Sequence, residues 1–184
     1  GYTGALNLTS NVIQDGAAAL SLAGFTTLNL TDETISGNTS GGSITNVTTI
    51  NVDANNGTNT TRVNVDGGDA IAPGQFSVDA QLQPITYSGV TTLDLDALDG
   101  GDTVHVAPHA TTVIDLDGGG DGDTLNYFSD GTAFLFGPAV ITTTGKANIN
   151  HANFETFGVS GTLVLDGTAN DDELEVWATG PDSG

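Results

Sequence analysis

The sequence predicts an all-β fold, a parallel β-solenoid (β-helix- or β-roll-like) with about 20–25 residues per coil. Three observations predict it. Apolar and polar residues alternate in short runs, which is the period of a β-strand. Asp-Gly clusters separate these runs, and the combined pattern recurs along the chain. An antiparallel β-sandwich of the same short strands is the alternative, but a sandwich does not require repeats in register.

The clearest repeat lies between Gly89 and Phe128. Leu95-Asp96 recurs as Leu116-Asp117, 21 residues later. Asp102-Thr103-Val104 recurs as Asp123-Thr124-Leu125 at the same distance. Strands this short cannot each bury a face alone, so we expect equivalent strands to stack and to share one column of Leu, Val, Ile and Phe.

Acidic turns connect the predicted strands. Residues 99–102 read Asp-Gly-Gly-Asp, and residues 117–123 hold three aspartates and four glycines. Glycine supplies positive φ without steric cost, and aspartate favours tight turns by bonding its own backbone. A strand, an acidic turn and a second strand therefore form one predicted coil.

A Thr-Thr-apolar phrase carries the repeat further along the chain. Its apolar residues are Leu28, Ile50, Leu93 and Val113, at steps of 22, 43 and 20 residues. We interpret the step of 43 as two coils, because insertions and bulges let the period drift. Residues 154–157 are predicted to continue the same series.

The composition favours one folded domain over residues 1–184, with linker-like residues at 180–184, and the absence of Met favours a module or a processed piece of a longer protein. Hydrophobic residues make up 37% and charged residues 14%, which excludes an ordinary disordered acidic tail. The 26 glycines and 28 threonines favour strands and turns over helices.

The charge is strongly negative. Asp and Glu number 23 against Arg62 and Lys146, for a net charge of −21. Such a chain should not bind nucleic acid or an anionic membrane without bridging cations. No apolar run is long enough to cross a bilayer, so we expect no direct membrane insertion. Solvent and salt must screen the self-repulsion, or bound divalent cations must neutralise part of it.

Two segments resemble the haemolysin-type (RTX) calcium-binding nonapeptide, G-G-x-G-x-D-x-apolar-x. Residues 118–125 match it except that Asp121 replaces the fourth-position glycine, and residues 167–174 resemble the phrase that opens such arrays. Residues 100–104 and 67–71 are shortened relatives. The resemblance implies a parallel β-roll in which turn carboxylates and backbone carbonyls hold Ca²⁺ between coils. It also implies a secreted or cell-surface bacterial protein.

Ca²⁺ is therefore the predicted cofactor, because clustered carboxylates on glycine-rich loops can supply its six to eight oxygen ligands. A solvated Asp-Gly turn that needs no ion is the alternative. The candidate ligands, in order of preference, are Asp117, Asp121 and Asp123, then Asp99 and Asp102, then Asp166, Asp171 and Asp172.

Other candidate sites are weaker. Six N-x-Ser/Thr sequons in the first third predict a glycan-coated face. They begin at Asn7, Asn29, Asn38, Asn46, Asn56 and Asn59. The three histidines, His105, His109 and His151, are predicted to be surface residues without a transition metal.

We expect a structural, extracellular module of a surface protein, adhesin or self-assembling filament that associates end to end. The alternative is a carbohydrate-binding, adhesive module with Tyr87, Tyr127 or Phe128 exposed for glycans. Catalysis has no support: the chain has no Cys nucleophile and no G-x-S-x-G. A polysaccharide lyase would need more basic residues than Arg62 and Lys146 offer. We therefore predict that it is not an enzyme.

Overall fold

A computed structural model describes residues 4–16 and 20–160. This part of the chain is all-β, as predicted, and contains no helix. The strands are β1 (Ala5–Thr9), β2 (Val12–Gln14), β3 (Ser21–Ala23), β4 (Thr27–Thr31), β5 (Thr34–Ser36), β6 (Ser43–Thr45), β7 (Thr49–Asp53), β8 (Thr60–Val65), β9 (Ile71–Val78), β10 (Leu82–Ser88), β11 (Thr92–Asp96), β12 (Thr103–Val106), β13 (Val113–Asp117), β14 (Thr124–Phe128), β15 (Phe134–Phe136), β16 (Val140–Thr143), β17 (Ile149–Ala152) and β18 (Thr156–Ser160).

The first sheet has eight strands in the order β1-β4-β7-β11-β13-β17-β16-β15. The first six of these are parallel neighbours in one continuous register. Leu28 of β4, for example, lies beside Ile50 of β7, which lies beside Leu93 of β11. The hairpin β15–β16 pairs antiparallel with β17 at the end of the sheet.

The second sheet has ten strands, and its main order is β18-β14-β12-β8-β9-β10-β5-β2. β18, β14, β12 and β8 are parallel neighbours. β9 is antiparallel to both β8 and β10, whereas β10 pairs in parallel with β5 and β6. Both sheets therefore mix parallel and antiparallel pairs, and a wholly antiparallel sandwich does not describe them.

The core lies between the two sheets and follows from the alternation in the sequence. In β4, β7 and β13 every second residue is buried. Ile50, Leu93 and Ile114 of the first sheet and Val104 and Leu125 of the second are fully buried. Each such side chain contributes roughly 1.5–3 kcal/mol through the apolar area that it removes from water.

Three predictions about the repeat are wrong. The step of 43 residues is one long passage, because β9 and β10 add an antiparallel detour before β11. Leu93 pairs with Ile114 and not with Val113, which contradicts the 20-residue step of the Thr-Thr-apolar phrase and confirms the 21-residue repeat of residues 89–128. Thr156 and Phe157 belong to β18 of the second sheet, and Ile149 takes the expected place beside Ile114.

Asn64 fastens the detour to its neighbours. Its Oδ1 accepts hydrogen bonds from the Gly74 N–H and from the Tyr87 hydroxyl, both at 2.8 Å. Its Nδ2 donates to the Ala107 carbonyl at 3.0 Å. Tyr87 is thus a core residue, and Tyr127 is fully buried as well. The prediction that these tyrosines are exposed on a strand face is wrong.

Candidate cation-binding site

A column of polar residues lies where the chain enters the second sheet. Asn59, Asp102, Asp123 and Glu155 directly precede β8, β12, β14 and β18, and the register of these strands stacks them. We call these four residues the corner column. Because the strands are parallel and in register, each residue lies about 4.8 Å from the next, the usual strand separation.

The corner column is held together by backbone-to-side-chain hydrogen bonds. The Asn59 N–H donates to Asp102 Oδ1 at 2.6 Å, and the Asp102 N–H donates to Asp123 Oδ1 at 2.7 Å. The Asp123 N–H donates to Glu155 Oε2 at 2.7 Å. Each acidic side chain thereby satisfies a donor that would otherwise be left without a partner at the start of a strand.

The same relation occurs nearer the N-terminus. Asn11 and Glu33 precede β2 and β5, and the Asn11 N–H donates to Glu33 Oε1 at 3.1 Å. Sequence reasoning missed Glu33 and Glu155 because neither lies in a glycine cluster. The signal that could have found them is an acid-Thr-apolar triplet. It occurs at residues 33–35, 102–104, 123–125 and 155–157.

The second oxygens of the buried acids have no partner. Asp102 is 2% exposed and Asp123 is 0% exposed, yet Oδ2 of each lacks a hydrogen bond among the described residues. Oε2 of Glu33 is in the same state. Burial raises the pKa of Asp102 and of Asp123, and the carboxylates of Asp102, Glu155 and Asp121 add to the rise for Asp123. A buried oxygen of this kind is costly unless a proton, a cation or water reaches it.

The structure places the predicted calcium ligands in two separate groups, since Asp102 and Asp123 are neighbours in the corner column while Asp99 and Asp117 line one surface pocket. Asp117 Oδ1 accepts hydrogen bonds from the Gly119 N–H at 3.0 Å and from Asn153 Nδ2 at 2.7 Å, so it supports its own turn. Asp99 and Asp121 are exposed, whereas Asp123 is buried in the corner column. Across residues 4–16 and 20–160, no three His, Asp or Glu side chains form a metal-binding group. Asp166, Asp171 and Asp172 lie outside the described residues.

A second acidic feature covers the outer side of the first sheet. Asp94 lies beside Asp115, and Asp96 lies between Asp53 and Asp117 on neighbouring strands. We call these five residues the acidic face. Burial, followed by the neighbouring carboxylates, raises the pKa of Asp94, and burial also raises that of Asp96. The alternation Leu-Asp-Leu-Asp at residues 93–96 was a sequence signal for this face.

No protein-family model, curated protein or solved structure matches the chain. The RTX-like resemblance therefore stays a prediction. It rests on the turn residues alone. The described residues also hold no helix that is long and apolar enough to cross a membrane.

The predicted glycosylation sites differ in accessibility. Asn38 and Asn59 are buried, and Nδ2 of each donates to backbone carbonyls, so neither amide is open to a glycan in the folded chain. Asn29 lies in a ladder on the first sheet, where it donates to Asn7 and accepts from Asn51. Asn7, Asn46 and Asn56 are exposed.

The histidines do not form a metal pair. His105 Nδ1 lies 2.9 Å from Asp69 Oδ1, while His109 Nδ1 accepts a hydrogen bond from the Thr112 N–H at 3.0 Å. His151 is 5% exposed and lies 3.1 Å from the Gly137 carbonyl. The prediction of a surface position is wrong for His151, because β17 points this side chain inward.

Proposed function

We propose that the chain is a structural module, a β-solenoid of a secreted or cell-surface protein, an adhesin or a fibre, and that it is not an enzyme. The observation that carries this proposal is the continuous parallel register of β1, β4, β7, β11, β13 and β17. Strands stacked in this way bury one shared apolar column and make a stiff scaffold. Polar side chains at equivalent positions of neighbouring strands then stack into regular columns.

Ca²⁺ is the proposed stabilising cofactor. The net charge is −21 because two basic side chains face 23 acidic ones, and both basic side chains already have acidic partners. Arg62 lies 2.7 Å from Asp79, and Lys146 lies 2.6 Å from Asp130. Neither can neutralise the corner column or the acidic face. Hard oxygen ligands favour Ca²⁺, and extracellular modules bind it in the 10⁻⁴–10⁻³ M range.

End-to-end self-association is the proposed interaction. Within the described residues, β1 at one end and β15 and β18 at the other each have one edge without a partner strand. β16 is antiparallel to β17 and β15 is antiparallel to β16, so β15 runs in the same direction as β17. The free edges at both ends therefore run parallel to the ladder, and such edges can pair with another chain.

Thermal melting of the full chain tests the proposal. The melts are run in millimolar CaCl₂, in EDTA, and in NaCl matched for ionic strength. Calcium should raise the midpoint more than the matched NaCl does, and electron microscopy in calcium should show end-to-end particles. A midpoint that chelation leaves unchanged would remove calcium from the proposal. Dispersed monomers in calcium would remove the association.

A further inference from the structure

Two buried carboxylates of the corner column point to a specific ion site. We propose that Asp102 and Asp123 are the carboxylate ligands of one buried divalent-cation site between β12 and β14, and that the ion is Ca²⁺. This inference rests on the proposed calcium stabilisation and assigns it to particular atoms. The sequence favoured Asp117, Asp121 and Asp123 and then Asp99 and Asp102. This inference keeps Asp123 and Asp102 as ligands and leaves the other three out.

The first argument is the missing partner. Asp102 and Asp123 each use Oδ1 to accept a backbone N–H, which leaves Oδ2 as the free oxygen. Both Oδ2 atoms are buried without a hydrogen bond among the described residues. Water would reach them if they belonged to a solvated turn. An ionised pair in this position needs a positive partner, and no basic side chain is near enough to supply one.

The second argument is the spacing. β12 and β14 are parallel neighbours in register, with Thr103 beside Thr124, so the two acids that precede them are equivalent. Equivalent atoms on adjacent strands lie about 4.8 Å apart. This is about twice the Ca²⁺–oxygen distance of 2.3–2.6 Å, so one Ca²⁺ can contact both oxygens. Mg²⁺ needs about 2.0–2.1 Å to each ligand and gives up its waters reluctantly, so the spacing favours Ca²⁺.

The third argument is the close approach of two oxygens at Gly118. A Cβ at Gly118 would lie 2.1 Å from the Asn153 carbonyl oxygen and 3.0 Å from Asp123 Oδ2. Only glycine fits at this position, so its Cα packs directly against both the Asn153 carbonyl oxygen and Asp123 Oδ2, and these two oxygens lie near each other. Backbone carbonyls are ordinary Ca²⁺ ligands, and water can complete the coordination. Two carboxylates with carbonyls and water form a site even though no three acids converge.

The experiment compares Asp102→Asn and Asp123→Asn with Asp121→Asn in the full chain. Asparagine keeps the Oδ1 acceptor for the backbone N–H and removes the negative charge. Asp121 is an exposed carboxylate in the same turn and serves as the matched control. Each protein is melted in EDTA and in CaCl₂, and calcium binding is measured by titration calorimetry. Circular dichroism in EDTA checks that each variant is folded.

We expect Asp102→Asn and Asp123→Asn to bind calcium at least tenfold more weakly than the wild type. Calcium should also raise the melting midpoint of these variants much less than it raises that of the wild type. In EDTA both should melt at or above the wild-type temperature, because a buried charge without a partner has been removed. Asp121→Asn should keep the wild-type response. MgCl₂ should raise the melting midpoint of the wild type less than CaCl₂ does.

Two results would overturn the inference. If Asp102→Asn and Asp123→Asn keep the full calcium response while Asp121→Asn loses it, the ion lies in the exposed turn. Calcium stabilisation would then stand without this site. If the wild type itself gains nothing from calcium, the cofactor proposal fails and this inference fails with it. If one variant does not fold, the other still decides between these outcomes.

Discussion

Burial of Asp102 and Asp123 makes the stability of the fold depend on pH, and the direction of that dependence follows from their pKa shifts. Burial raises the pKa of each carboxyl above its ordinary value of 3.8, so the folded chain holds these protons more tightly than the unfolded chain. Their contribution to stability is then fully present below the unfolded pKa and is lost as the pH rises through the folded pKa. Carboxyls with a lowered pKa, such as Asp130 beside Lys146, act in the opposite direction.

We therefore predict that Asp102→Asn removes part of the pH dependence of unfolding in EDTA. The wild type should lose stability relative to the variant as the pH rises from about 4 towards neutrality, and the two should converge at lower pH. Urea unfolding across this range measures the difference. Asp121→Asn is the control and should follow the wild type. Parallel curves for wild type and Asp102→Asn would show that the carboxyl does not titrate differently on folding.

The sequence signalled some of these residues and not others. Asp102 and Asp123 lie beside glycine clusters, so turn chemistry identified them as candidate ligands. Glu33 and Glu155 have the same place before a strand, but their sequence neighbours are ordinary. Burial depends on which chain segments cover a turn, and a local pattern does not contain that information. For the same reason Asp121 and Asp123, two residues apart, could not be told apart as exposed and buried.

At the scale of elements, Asn64 joins three segments that are distant in sequence. Replacing it with Ala leaves the Tyr87 hydroxyl, the Gly74 N–H and the Ala107 carbonyl without their partners inside the protein. Each buried polar group left unpaired costs about 1–3 kcal/mol, so Asn64→Ala should lose roughly 3 kcal/mol or more of unfolding free energy. Urea unfolding measures this loss.

Asn46→Ala is the matched control for Asn64→Ala. Both asparagines have a left-handed backbone, with φ of 53° at Asn46 and 59° at Asn64, but Asn46 is exposed. The control therefore reports the cost of placing alanine at positive φ, about 1–2 kcal/mol. Equal losses in the two variants would mean that the hydrogen bonds of Asn64 add nothing to stability.

Strand positions were predictable from alternation, but strand directions were not. β9, which runs antiparallel to both of its neighbours, does not alternate like the parallel strands, because Phe76, Ser77 and Val78 at its end are all buried. The passage between β7 and β11 was interpreted as two coils because its step of 43 residues is about twice the repeat of 21 residues. The antiparallel hairpin β15–β16 was also missed, because Phe134 and Ile141 are buried just as core residues of parallel strands are. Direction is set by the turns and by tertiary packing, which the alternation does not record.

At the scale of the whole molecule, the negative charge is concentrated on neighbouring strands. Asp94 and Asp115 are direct neighbours on β11 and β13, at the centre of the acidic face. Like charges opposite one another on adjacent strands are destabilising, by up to about 1 kcal/mol for each pair. Salt screens this repulsion where the carboxylates contact solvent. The stability of the module should therefore rise with ionic strength even when calcium is absent.

We predict that the double variant Asp94→Asn, Asp115→Asn melts a few degrees above the wild type in EDTA at low salt, since about 1 kcal/mol shifts the midpoint of a chain this size by roughly 2–4 °C. The gap should narrow as NaCl is added, because screening removes the same repulsion in the wild type. Asn29→Asp, which adds a charge to the same side of the sheet on β4, should lower the midpoint in low salt. If repulsion across the acidic face causes the difference in melting midpoint between the double variant and the wild type, NaCl should remove that difference. A difference that stays constant as NaCl is added would mean that packing or hydrogen bonding causes it.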